Sequence, residues 1–241
     1  MRIQFYSPVS LGFVLIALLI LVALFILFIP FLIIGVLGYA FVNLGFTWQQ
    51  AFLLLVITFL GSFVNIPVKT WEKVPVRMVD TTSLGFGQIY RVPRMTTKST
   101  LAVNLGGAVI PVCVSLYLIY TSIAVAGYSV ALLSLTGLLI VSLIVNRSAR
   151  PVEGLGIAIP FFIPPAVAFI TAVALSILFL QEPSAGAATI AYVSGCMGTL
   201  AGADLMRLNE VKRLGAPMAS IGGAGTFDGI FLSGLIAAFL L

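Results

Sequence analysis

The stretch LGFVLIALLILVALFILFIPFLIIGVLGYAF, Leu11 to Phe41, contains no charged residue. A helix needs about 20 mainly apolar residues to cross a hydrocarbon core of roughly 30 Å, so this segment alone predicts a membrane span. It is apolar well past the length of a signal peptide core and offers no small-residue cleavage site, so it reads as a retained span. Pro30 falls in its second half, which leaves one tilted or kinked helix and two short helices both open.

Working outward, the same character recurs to the end of the chain. Of 241 residues, 61% are hydrophobic and 8% charged, against about 25% charged in a soluble domain. The mean hydropathy is +1.22. The expected fold class is therefore all-α, a polytopic transmembrane helix bundle forming a single domain over 1–241. Its spans fall at about 11–41, 48–65, 100–126, 128–145, 155–180, 186–206 and 218–241.

The charged residues orient this seven-span arrangement. Arg2 precedes the first span, and Lys69, Lys73, Arg77, Arg91, Arg94 and Lys98 lie between the second and third. Arg147 and Arg150 follow the fourth span, and Arg207, Lys212 and Arg213 follow the sixth. All 12 Lys and Arg thus fall on one side, while the other side carries Glu182. Basic residues near span ends collect in the cytoplasm, so the N-terminus is expected there, the C-terminus outside, and the protein in the cell membrane as a multi-pass chain. The net charge of +5 is split among these loops without a nucleic-acid-binding module. Anionic membrane lipids are the partner that explains it.

The longest polar stretch, 67–99, includes Val76, Met78 and Ile89 to Val92 around a Gly85-Phe86-Gly87 turn. A small β-hairpin and a loop tethered on the membrane surface both fit it.

Absences narrow the chemistry. The chain has no histidine, which removes Ser-His nucleophilic catalysis, His-Glu-x-x-His zinc sites and histidine proton relays. No metal or cofactor motif is present, and none is expected. Cys113 and Cys196 lie in apolar runs and read as packing residues.

Five of the seven acidic residues fall in loops; Asp204 and Asp228 do not. An ionised carboxylate at the centre of a membrane helix costs about 2.5–3.5 kcal/mol on insertion scales, which makes such a residue a functional candidate. Arg207, three positions on, offers Asp204 a local partner on the same helical face. No basic residue follows Asp228. The two acids stand on consecutive antiparallel spans, and Gly195, Gly198 and Gly202 on one, with Gly222, Gly223, Gly225 and Gly229 on the other, permit close backbone approach. Two carboxylates a few ångström apart share one proton and titrate as a unit, the arrangement that lets one draw a proton from water while the other polarises a carbonyl.

The run GTFDGIFLS, Gly225 to Ser233, resembles the Gly-x-Gly-Asp segment of presenilins and signal peptide peptidases through Gly225, Asp228, Ile230, Phe231 and Ser233. Phe227 stands where that family has its second glycine, Gly229 where it has an aromatic residue, and Ala203 where it has a tyrosine. The later Pro-Ala-Leu motif is absent. The whole chain also resembles a prokaryotic family of uncharacterised membrane proteins placed near these proteases. The resemblance implies a catalytic pair Asp204 and Asp228, a site shaped by Gly222, Gly223, Gly225, Phe227 and Gly229, and a transmembrane peptide substrate.

Three functions are compatible with these residues. The first is a di-aspartyl intramembrane protease. The second is a proton- or cation-coupled transporter with Asp228 as ion site, its broken helices marked by Asn65 and Pro67, by Asn104, Gly106, Gly107 and Pro111, and by Pro160, Pro164 and Pro165. The third is a noncatalytic scaffold.

Overall fold

A computed structural model describes residues 11–72, 98–152, 156–211, 218–223 and 229–241. These residues are mostly helical, with small strands. Helix α1, Leu11–Asn43, runs unbroken through Pro30, so the long first segment is one helix. Its residues 12–34 are apolar all round and exposed, and packing begins at Leu37.

Among the described residues, three helical stretches are long and apolar enough to cross a membrane: Gly12–Asn43, Leu105–Val125 and Tyr128–Ser148. Helices α2 (Trp48–Gly61), α5 (Ile163–Phe179) and α8 (Gly229–Phe239) are apolar but shorter. Helix α3 (Ile110–Ala126) meets α4 (Tyr128–Ser148) through Gly127 alone, whose φ of +71° is a conformation that a side chain would strain.

Four expected spans are trimmed at one end, each where an apolar segment is extended instead of helical. The second helix stops at Gly61, and Asn65–Glu72 forms β1. The third segment starts as strand β2, Lys98–Asn104, and becomes helical only at Leu105. In the fifth, β3 (Arg150–Val152) pairs antiparallel with β4 (Gly156–Ala158). Helix α5 follows at Ile163, with proline in its first turn, where a missing N–H is tolerated. The last segment opens as β5, Met218–Ile221, ahead of α8.

The segments that flank the expected hairpin are themselves paired. β1 and β2 pair antiparallel from Asn65↔Asn104 to Glu72↔Lys98, outside the strands anticipated around Gly85 to Gly87, and that turn lies outside the described residues. β2 also pairs in parallel with β5, giving the order β1-β2-β5. Pro67 sits on the edge strand, where it costs no ladder bond, and a register shift leaves Val68 outside the pairing.

Helix α6, Ala187–Thr199, is the centre of the bundle, with Ile190 to Cys196 all buried. Tyr192 packs with Phe41 of α1 and the cluster continues to Phe231 of α8. Both α3 and α6 carry a π-helical turn at the end nearest the sheet, Leu105–Val109 and Leu200–Leu205. Helix α7, Leu208–Val211, follows the second of these.

Candidate functional site

Asp204 lies in the π-turn that ends α6 and is half-buried. A π-turn admits one residue more than an α-turn and so re-aims the side chains it carries, and such turns recur at functional sites. Two contacts from α4 brace this one: Asn146 Nδ2 donates to the Gly202 carbonyl at 2.9 Å, and Arg207 donates through Nη2 to the Asn146 carbonyl. Arg207 Nη1 also pairs with Glu210 at 2.8 Å. The guanidinium anticipated as a local partner of Asp204 is thus engaged by Glu210 and α4.

The Asp204 Oδ2 accepts a hydrogen bond of 2.9 Å from the backbone N–H of Gly222. Gly222 follows β5 with φ +83° and is buried against the first π-turn, where a Cβ would lie 2.7 Å from the Ala108 nitrogen. Only glycine fits there without displacing a backbone. Gly223 also has positive φ, +82°.

Beside this contact stands a polar cluster. Asn104, almost fully buried, accepts from the Gly107 N–H at 2.7 Å and so caps the first π-turn. Its Nδ2 donates to the Ser62 carbonyl at 2.7 Å and to Asn65 Oδ1 at 3.1 Å. Ser220 of β5 donates to the same Asn65 oxygen at 2.6 Å. The end of α2, the three strands of the β1-β2-β5 sheet and the start of α3 are thereby tied together next to Asp204.

Of the residues singled out in the sequence, Asp204 and Gly222 are in direct contact, and Gly223 adjoins them in the chain. Gly229 begins α8, exposed, with open space where a Cβ would stand. Asp228, Gly225 and Phe227 lie outside the described residues.

The glycines divide differently from expectation. Gly195 meets α8, where its Cβ would lie 2.6 Å from the Gly234 Cα, so that near contact of the two helices is real. Gly198 and Gly202 instead face Val141 and Ser142 of α4, because α6 is surrounded and must approach two neighbours closely. Nothing local in the sequence ties Asn146, Asn104, Asn65 or Ser220 to the acid site, although Asn65 and Asn104 mark candidate helix breaks.

A family model described as "Protein of unknown function (DUF1614)" matches residues 59–240. The chain belongs to that family. The matched region runs from the last turn of α2 through α8, so it contains the sheet, both π-turns and Asp204, and α1 precedes it. Neither the curated proteins nor the solved structures give a match.

Proposed function

We propose that this DUF1614 member is a seven-span protein of the cell membrane, N-terminal side cytoplasmic, that hydrolyses peptide bonds of membrane-embedded substrates with Asp204 and Asp228. The observation that carries the reading is the 2.9 Å bond from Gly222 N–H to Asp204. It ties the end of α6 to the connection on which Asp228 immediately precedes α8.

The described packing of α6 on α8 supports the same pairing. Gly195 lies against Gly234, and Thr199 donates to Ser233 at 3.1 Å. The contacts run antiparallel and lead toward Asp204 on one helix and Gly229, the neighbour of Asp228, on the other.

The chemistry is that of a carboxyl pair holding one proton. The ionised member takes a proton from water, whose oxygen bonds to the scissile carbonyl carbon while the protonated member gives its proton to the carbonyl oxygen. Collapse of the tetrahedral intermediate breaks the C–N bond as a proton passes to the leaving nitrogen.

A coupled carrier is the second reading, favoured by the side chains gathered at the helix breaks. Asn65, Asn104 and Ser220, however, hydrogen-bond to one another, which suits a structural pin better than an ion cage.

The test uses purified protein in liposomes with a panel of fluorescent single-span peptides. Asp204→Asn and Asp228→Asn are each expected to reduce cleavage to background while thermal stability in detergent is kept. Full cleavage by either variant ends the protease reading. Loss of ion-dependent flux in Asp228→Asn, with no peptide cleaved by the unsubstituted protein, moves the carrier ahead. Neither activity in the unsubstituted protein leaves the scaffold.

A further inference from the structure

Helix α2 is too short for the membrane it faces. Its 14 residues rise about 21 Å, roughly 9 Å less than a typical hydrocarbon core, and any tilt widens the shortfall. Yet the lipid-type surface does not stop where the helix does. Leu60 near its end is followed by Phe63, Val64, Ile66 and Val68, all exposed, with Val68 at 64%. No charged residue stands between Arg2 and Lys69.

Pairing within the sheet meets part of what a low-dielectric environment demands of this backbone. Unpaired N–H and C=O groups are strongly disfavoured in hydrocarbon. β1 is paired with β2 except at Val68, and Pro67 has no N–H to leave unsatisfied. Polarity returns abruptly with Lys69, Thr70 and half-buried Trp71. The only two tryptophans, Trp48 and Trp71, bracket the segment, as interfacial aromatics bracket a membrane-crossing element.

We infer that the start of β1 completes the crossing begun by α2. Ile66 and Val68 contact acyl chains of the cytoplasmic leaflet, and Lys69 and Trp71 lie at the headgroup level. The partner of this surface is phospholipid. The sheet is thus a plate set into the inner leaflet, and the Asn104 cluster and Asp204 behind it lie at bilayer depth.

This inference rests on the membrane reading, and the experiment separates the two. Nitroxide labels are placed in reconstituted Cys113→Ala protein at Val68→Cys, at Leu27→Cys on α1 as a lipid reference, and at Glu182→Cys as a water reference. The collision ratio of oxygen to a water-soluble nickel complex at position 68 is expected to match position 27 and to exceed position 182 several-fold. A ratio like that of 182, or a label reached by neither reagent because protein or a second copy covers it, overturns the inference while the membrane reading stands. An aqueous ratio at position 27 removes both. As a check without a label on the strand, Trp71 emission in Trp48→Phe protein is expected to be quenched by lipids brominated near the headgroup. Quenching only by aqueous iodide counts against the plate.

Discussion

At Gly222 two constraints meet in one residue. The backbone occupies φ +83°, and the hydrogen that a side chain would replace points at the backbone of Gly107 and Ala108. A left-handed conformation costs a non-glycine residue roughly 1–2 kcal/mol, and forcing atoms into a packed contact typically costs about 1–3 kcal/mol more. Gly222→Ala is therefore expected to lower stability by about 2–5 kcal/mol and to pull the N–H away from Asp204. Gly229→Ala, at a position with open space, is expected to be mild by comparison. Thermal unfolding in detergent of the two variants side by side checks the contrast, and equal losses would contradict it. Asp204 was visible in the sequence because a charge in an apolar run is rare. The demand on Gly222 was not, since it is imposed by residues more than a hundred positions away.

The two π-turns and the three strands show where local pattern ran out. Apolar runs mark where the apolar helices fall along the chain, because lipid-facing and core-facing surfaces are both apolar and the runs are long. They did not give helix ends: Lys98–Asn104 and Met218–Ile221 are rich in small and β-branched residues that continue the hydropathy signal into a strand. What makes these segments strands is their pairing with each other and with β1, which no local window contains. Asn104 shows how much one side chain fixes at such a junction. Alanine there removes the cap of the first π-turn, worth about 0.5–2 kcal/mol. It also leaves the buried Ser62 carbonyl without the amide donor, and a buried unsatisfied group costs about 1–3 kcal/mol. Asn104→Asp keeps an acceptor for Gly107 but turns a carboxylate toward the Ser62 carbonyl and Asn65 Oδ1. It is expected to be no more stable than Asn104→Ala. An aspartate variant with near-native melting would show that the cap alone matters.

Across the whole molecule, the proposed orientation depends on where α8 ends. Seven spans put the ends of the chain on opposite faces, but α8 has 11 residues, which rise about 16 Å and do not cross a bilayer unaided. A re-entrant α8 would return the C-terminus to the cytoplasm. Two contacts argue otherwise. Asn43, the last residue of α1, donates to the carbonyl of Ala238 at 3.4 Å, and the rings of Tyr39 and Phe239 meet edge to face with centroids 6.1 Å apart. The C-terminal ends of α1 and α8 are therefore at one level. In the proposed orientation, with α1 crossing from the side where Arg2 stands, that shared level is the outer face. Alkaline phosphatase fused after Leu241 in a bacterial inner membrane is expected to be active and a fluorescent protein fused there dark. The pattern should reverse for fusions after Arg150, in a basic loop. Fluorescence at both positions would mean that α1 and α8 end together on the inside, which contradicts the seven-span orientation.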